Sequence, residues 1–135
     1  MDKIFNWIAV TSGVIGGFIV QRLGGGDVLL KTVVAFVVLD YLTGVVKAIY
    51  TKKLSSEIGF KGICKKVMLF LVISFAVFVE DIMPMQTPIR EITIMFFIAN
   101  EGISLLENAA EVIPIPDKLK EALLQLRDKS TKGGD

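Results

Sequence analysis

Four long apolar stretches occupy most of this 135-residue chain, and they limit its possible folds more than any other feature. They cover residues 4–23, 28–50, 67–83 and 89–113. Because a helix rises ~1.5 Å per residue, about 20 apolar residues cross the ~30 Å hydrocarbon core of a bilayer. The sequence therefore predicts an all-α, polytopic membrane protein with a membrane domain over residues 1–113. About four transmembrane helices are expected, and three is the alternative count.

The composition argues against several other classes of protein. Hydrophobic residues make up 53% of the chain, and 15 basic residues nearly balance 14 acidic ones, for a net charge of +1. Binding to nucleic acid requires a basic stripe, so nucleic acid is not an expected partner. The chain has no histidine, and its single cysteine, Cys64, cannot form an internal disulfide. We therefore predict no enzymatic activity, no cofactor and no metal site.

The first stretch carries a pattern of small residues that is typical of helix packing in membranes. Gly13 and Gly17 form a G-x-x-x-G motif, and Ser12 and Gly16 form a second pair with the same spacing. Small residues one turn apart let two helix backbones approach closely in lipid. Glycine is also frequent in membrane helices in general, so both interpretations stay open. No small-residue cleavage site follows this stretch, and we interpret it as an uncleaved first membrane helix.

Lysine asymmetry between the connections predicts the orientation in the membrane. The connection between the second and third stretches carries five lysines against one acid; they are Lys52, Lys53, Lys61, Lys65 and Lys66. The connections at residues 24–27 and 84–88 contain no basic residue, whereas the tail after residue 116 is basic. Since lysine and arginine concentrate in cytoplasmic loops, both termini are predicted to be cytoplasmic. Arg22, Lys31 and Arg90, at the opposite edge, are expected to extend their charged ends to the interface.

The end of the chain is predicted to form a cytoplasmic amphipathic helix and a disordered tail over residues 114–135. Residues 114–116 read Pro-Ile-Pro, which stops a helix, and Asp117 suits the first turn of a new one. Apolar residues then recur at helical spacing, at Leu119, Ala122, Leu123 and Leu126. Such a helix lies on the inner leaflet or pairs with its neighbours. Residues 130–135 are expected to be disordered.

Polar residues form a stripe along the second stretch. Asp40, Thr43, Gly44 and Lys47 fall within a narrow arc of one helix. An ionisable residue inside a membrane is costly and usually faces a bundle interior or a water-filled path. We expect Asp40 to face protein, either in a functional role or in a structural hydrogen bond, and Lys47 to reach the interface.

The fourth stretch repeats this pattern over its whole length. Its polar residues, on one face or beside it, are Thr93, Asn100, Glu101, Ser104, Glu107, Asn108 and Glu111. A charge in mid-helix costs ~2.5–3.5 kcal/mol on insertion, so this stretch is not expected to face lipid alone. It is interpreted as a pore wall or subunit seam, or alternatively as a helix lying on the membrane surface. Asp40 lies at a depth similar to that of Asn100 and Glu101, and we expect these residues to meet, the two acids sharing a proton.

Several segments in this order resemble the toxin-secretion and phage-lysis holin family, also described as phage holin family 4. They are 40–48 (DYLTGVVKA), 53–56 (KLSS), 59–66 (GFKGICKK), 100–109 (NEGISLLENA) and 113–116 (IPIP). The resemblance implies a small protein that accumulates as a homo-oligomer in the bacterial inner membrane. It also implies pore formation and host cell lysis, in which lesions release a cell-wall hydrolase (an endolysin) or, in clostridia, a toxin. The resemblance assigns no individual pore residue.

A second class of function stays open, namely a small channel or an accessory subunit of a membrane transport complex. A selective channel requires a filter-like loop or a ring of charged side chains at a constriction. The connection at residues 84–88 is short for such a filter. A holin needs no selectivity, which agrees with these short connections.

Overall fold

The computed structural model describes residues 1–83 and 86–132, and this part of the chain folds into helices connected by short turns. The helices are α1 (Asp2–Arg22), α2 (Val28–Tyr50), α3 (Ser56–Ile82), α4 (Ile89–Ala110) and α5 (Asp117–Lys132). No strand occurs in these two ranges, and the predicted all-α class is confirmed. α1, α2 and α3 are long and apolar enough to cross a membrane, whereas a crossing by α4 stays a prediction. Residues 84 and 85 of the predicted outer connection lie outside the described ranges.

Capping side chains determine where α2 and α3 begin. The Asp27 carboxylate accepts a hydrogen bond from the Leu30 backbone N–H at 3.0 Å, and the Ser55 hydroxyl accepts one from the Ile58 N–H at 3.2 Å. These bonds satisfy donors that a helix N-terminus otherwise leaves free. With this cap, α3 starts at Ser56, well before the apolar stretch at residue 67. The apolar stretch does not include the first turns of α3 because they are polar. The predicted lysine-rich connection shortens to residues 51–55, and Lys66 lies inside α3.

The core lies where α2, α3 and α4 meet. Val33, Ile73 and Ile94, one from each of these helices, are fully buried. Leu69 packs one turn before Ile73 on α3, and Ile98 packs one turn after Ile94 on α4. Four-residue spacing places each such pair on one helix face, which explains why these positions form a common core.

α1 stands apart from this core. It contains no buried residue, and its apolar side chains are exposed on all sides. Its end is attached by the Arg22 guanidinium, which lies 5.9 Å from the centre of the Phe78 ring of α3. A Cβ atom added to Gly13, Gly16 or Gly17 would meet no atom within 4 Å. Within one subunit these glycines pack against no other helix, and their role in association stays a prediction.

α5 runs back along α4. Leu123 packs over Gly102, where an added Cβ would come within 2.9 Å of Leu123 and 3.0 Å of Phe36 of α2. Leu126, further along α5, packs against the core cluster. The predicted amphipathic helix is confirmed, and it pairs with a neighbouring helix. Residues 130–132 are helical, contrary to the expected disorder, because the buried Ser130 continues the packed face; residues 133–135 lie outside the described ranges.

Candidate functional site: a charged network between α2, α3 and α4

A cluster of charged side chains joins the three core helices. The Lys66 ammonium on α3 donates hydrogen bonds to the carboxylates of Asp40 on α2 and Glu101 on α4. The three side chains are 17%, 8% and 15% exposed, respectively. The sequence placed Asp40 and Glu101 close together, and in the structure Lys66 lies between them. The Lys66 ammonium thus bridges the two acids, and the sharing of a proton between them stays a prediction.

Asn108 completes this network from α4. Its amide donates to the second oxygen of the Asp40 carboxylate at 3.1 Å, and it lies 3.4 Å from the Thr43 hydroxyl. The Thr43 hydroxyl donates to the Asp40 carbonyl at 2.9 Å. Gly44 borders this arrangement: a Cβ added there would lie 3.6 Å from the Asn108 amide, which is an ordinary van der Waals contact. Among the described residues, no buried side-chain nitrogen or oxygen lacks a hydrogen-bond partner.

The charges of the network do not cancel. One ammonium faces two carboxylates, so the cluster carries a net charge of −1 when all three groups are ionised. Buried charges are tolerated where each has an opposite charge and its remaining hydrogen bonds are made. Lys66 supplies the positive charge that both carboxylates share, and the stability of both acids in this site therefore depends on it.

The predicted polar stripes divide between two environments. Asp40, Thr43 and Gly44 meet Glu101 and Asn108 in the network. Lys47 and Ser104 line a groove that leads away from it. Four further residues of the α4 stripe lie outside these contacts. Two of them, Thr93 and Asn100, are half-buried, and the Thr93 hydroxyl donates to the Ile89 carbonyl at 2.7 Å. Glu107 and Glu111 are exposed on the open side of α4. The role of all these residues in a pore or seam stays a prediction.

Sequence reasoning missed Lys66. It was grouped with its lysine neighbours as a cytoplasmic charge, although it occupies the buried face of α3. Lys66, Leu69, Ile73 and Ala76 follow one another at intervals of three or four residues, and the last three are buried. Extending this periodicity back from the apolar stretch places Lys66 on the core face. The signal was present but was obscured by the adjacent charges.

A second polar cluster joins the opposite ends of the helices around Arg90. The Arg90 guanidinium donates to the Leu23 carbonyl at 2.6 Å, to the Gly25 carbonyl at 3.0 Å and to the Asp27 carboxylate at 2.8 Å. Its backbone N–H donates to the Glu80 carboxylate at 2.7 Å. Arg90 is 7% exposed. The Arg90 side chain therefore reaches the turn between α1 and α2 and is buried beneath it, and the position of this turn at the membrane interface stays a prediction.

This cluster changes the acidity of Asp27, which lies in the turn before α2. The hydrogen bond from the Arg90 side chain, together with the one from the Leu30 N–H, lowers the pKa of the Asp27 carboxyl to about 2. Asp27 therefore caps α2 and pairs with α4 in its charged form at neutral pH. The turn also requires glycine at position 24. Gly24 has φ +86°, and a Cβ atom there would overlap the Arg90 side chain.

The fold and these two clusters define a small helical membrane protein whose buried polar groups connect its helices. Comparison with known proteins identifies its family, since residues 17–128 match the bacteriophage holin family. The chain therefore belongs to that family, which implies a non-enzymatic protein. Among the described residues, no group of three metal-binding side chains comes together.

Individual relatives agree with this assignment. The uncharacterized 14.9 kDa protein in the nagH 3′ region of Clostridium perfringens is 41% identical over 131 residues, covering 96% of this chain and 99% of the relative. A protein of Listeria monocytogenes is 34% identical over 131 residues, covering 96% of this chain and 91% of the relative. A probable holin of Bacillus phage phi105 is 36% identical over 87 residues, 64% of each chain. No solved structure matches this chain significantly.

Proposed function

We propose that this protein is a holin that assembles into homo-oligomers in the bacterial cytoplasmic membrane and opens lesions during host cell lysis. The lesion releases a cell-wall hydrolase or a toxin, which is the functional partner. Membership of the bacteriophage holin family supports the general role. The position of α5 supports the finer steps.

The supporting observation is that the charged helix α5 lies beside apolar membrane helices. Leu123 of α5 packs at the level of Gly102 on α4 and Phe36 on α2. Phe36 lies one turn before Asp40, near the middle of α2. The outer face of α5 is charged on both sides of Leu123; its exposed residues include Lys118, Lys120, Glu121, Asp128 and Lys129.

A single subunit cannot place this face in lipid at low cost. Each charge at the centre of a bilayer costs ~2.5–3.5 kcal/mol, and α5 would bring several. Glu107 and Glu111 of α4 are also exposed and would add to the cost. The charged faces of α4 and α5 therefore require water or a neighbouring subunit. A ring of copies that turns these faces toward a common lumen meets this requirement and produces a lesion with a wet wall.

The size of the released cargo tests this proposal. Purified protein is added to vesicles that contain both a small dye and a folded protein of enzyme size. A holin lesion passes both cargoes, and we expect both to be released above a threshold protein concentration. Release of the dye alone would favour the alternative of a small channel, and release of neither would reject the proposal.

A reporter experiment tests the proposed orientation with both termini in the cytoplasm. A reporter enzyme that is active only outside the cytoplasmic membrane is fused after Asp135. We expect no activity, because the lysine-rich connection and tail favour the cytoplasm. The same reporter placed between residues 25 and 26 is the positive control. Activity at Asp135 would contradict a cytoplasmic C-terminus; it would favour three crossings, with α4 not crossing the membrane, or an α5 that carries the C-terminus past the middle of the membrane.

A further inference from the structure

A groove of about 580 Å³ opens on the side of the charged network that faces the lysine-rich connection. It lies between the second half of α2 and the first half of α3, with α4 at its inner end. The inner end is closed by Asp40, Lys66 and Glu101, which are already paired with one another. The space between this inner end and the opening of the groove is therefore not filled by the side chains of the network.

The mouth of this groove is basic. Lys47, Lys53, Lys61 and Lys65 line it, and the lining acids, Asp40 and Glu101, are bound to Lys66 at the inner end. Lys61 also forms an ion pair with Glu57 at 2.8 Å, but the two side chains are 69% and 76% exposed. Such an exposed pair is worth little, so it does not compete strongly with another anion. The mouth is thus suited to an anionic ligand.

A second groove lies next to the first, nearer the middle of α2 and α3. It has a volume of about 270 Å³, and both grooves are lined by Tyr41 and Lys66. Apart from these two residues it is lined by aliphatic and aromatic side chains of α2 and α3, including Val38, Val67 and Phe70. The basic groove extends toward the helix ends, and the apolar groove extends toward the helix centres. This order of charge and apolar surface matches a phospholipid lying in one leaflet.

We propose that the two grooves together bind one anionic phospholipid, with the phosphate headgroup among the lysines of the mouth and an acyl chain against Val38 and Phe70. Basic pockets between membrane helices bind anionic headgroups by this chemistry. Lipid bound there adds contacts between α2 and α3, which touch each other less than either touches α4. This site is separate from the lesion proposed above, and each proposal is tested by its own measurement.

Binding is measured as the shift in melting temperature of the purified full chain in neutral detergent. The probes are dioctanoyl phosphatidylglycerol, dioctanoyl phosphatidylcholine, which has the same chains without net charge, and glycerol 3-phosphate, which has the anion without chains. We expect a dose-dependent rise with the phosphatidylglycerol alone. An equal rise with the phosphatidylcholine would overturn the role of charge, and an equal rise with glycerol 3-phosphate would overturn the choice of a lipid.

Lysine variants locate the binding site. Replacing Lys53, Lys61 and Lys65 with glutamine is expected to weaken phosphatidylglycerol binding by on the order of a hundredfold, since each lysine near an anionic lipid contributes about fivefold. The control replaces Lys118, Lys120 and Lys129 of α5 and loses the same net charge. Each variant is compared with its own melting temperature without lipid. Equal losses in the two variants would overturn the site.

A second pair of variants tests the acyl-chain groove. Val38→Trp fills the apolar groove, whereas Val34→Trp makes the same change one turn away on an exposed part of α2. We expect Val38→Trp alone to reduce the phosphatidylglycerol shift by at least half. If both variants respond like the unmodified protein, the chain does not occupy this groove and the proposal fails.

Discussion

Replacing Lys66 with methionine should destabilise this protein more than any other single change in the charged network. Methionine keeps most of the side-chain volume but removes the ammonium that contacts Asp40 and Glu101. Both carboxylates would then face each other in a site where neither is more than 15% exposed. Removing one partner of a buried ion pair costs about 3–5 kcal/mol. The folded-to-unfolded ratio should fall by roughly a hundredfold or more.

The neighbouring residues provide matched comparisons. Lys65→Met removes the same charge from an exposed position one residue away, and its effect should stay within about 0.5 kcal/mol. Glu101→Gln leaves one cation facing one carboxylate, and it should cost only about 0.5–1.5 kcal/mol, the value of a hydrogen bond. The double variant Lys66→Met/Glu101→Gln removes the repulsion between the acids. It should therefore be at least about 1 kcal/mol more stable than the sum of the single changes predicts.

Equilibrium unfolding in mixed micelles, with the fraction of denaturing detergent as the variable, measures these differences. Far-ultraviolet circular dichroism is the appropriate signal, because Trp7 lies on the exposed helix α1 and does not report on the core. The reasoning is refuted if Lys66→Met and Lys65→Met unfold within about 1 kcal/mol of each other. It is also refuted if the effects of Lys66→Met and Glu101→Gln are additive.

Three further predictions follow from the turn before α2 and from α1. Gly24→Ala should lower the melting temperature more than Gly25→Ala, because both have positive φ but only the Cβ at position 24 overlaps Arg90; equal losses would exclude the overlap as the cause. The pKa of Asp27 is lowered from 3.8 to about 2, so its stabilising contribution is complete above about pH 4 and is lost as the pH falls toward 2. In the Asp27→Asn variant the melting temperature should therefore depend less on pH in that interval than in the unmodified protein. The same pH dependence in both proteins would contradict this. Gly13→Leu should reduce cross-linked oligomers whereas Val14→Leu should not, and equal yields would exclude close packing at this glycine.

Much of the fold was predictable because apolar runs and helix boundaries coincide in part of the chain. The second helix was predicted at residues 28–50 and is observed at Val28–Tyr50, since Asp27 both ends the preceding turn and caps the helix. The start of α3 was missed because its first turns are polar and Ser55, a weak signal by itself, is the cap. Hydropathy locates the part of a helix that lies in lipid but not its polar extension.

The acidic residues of the candidate site were predictable from the sequence, but its cation was not. Helical periodicity brought Asp40 and Thr43 to one face of α2, and similar depth placed Asp40 near Glu101. The cation between them could not be derived from depth, because Lys66 belongs by composition to the basic connection. The buried state of Arg90 could not be derived from its sequence position either, since its acceptors are carbonyl groups of a turn more than 60 residues away.

The charged network also has a consequence for biosynthesis. The chain is made from its N-terminus, so Asp40 and Lys66 are synthesised before Glu101. At that stage Lys66 has one acid to neutralise it, and α2 and α3 can pair without excess charge. α4, which carries the second acid, can then meet a pair in which the cation is already present. The order of the three charges along the chain thus lets Glu101, the last acid of the network, pair with a cation that was made before it.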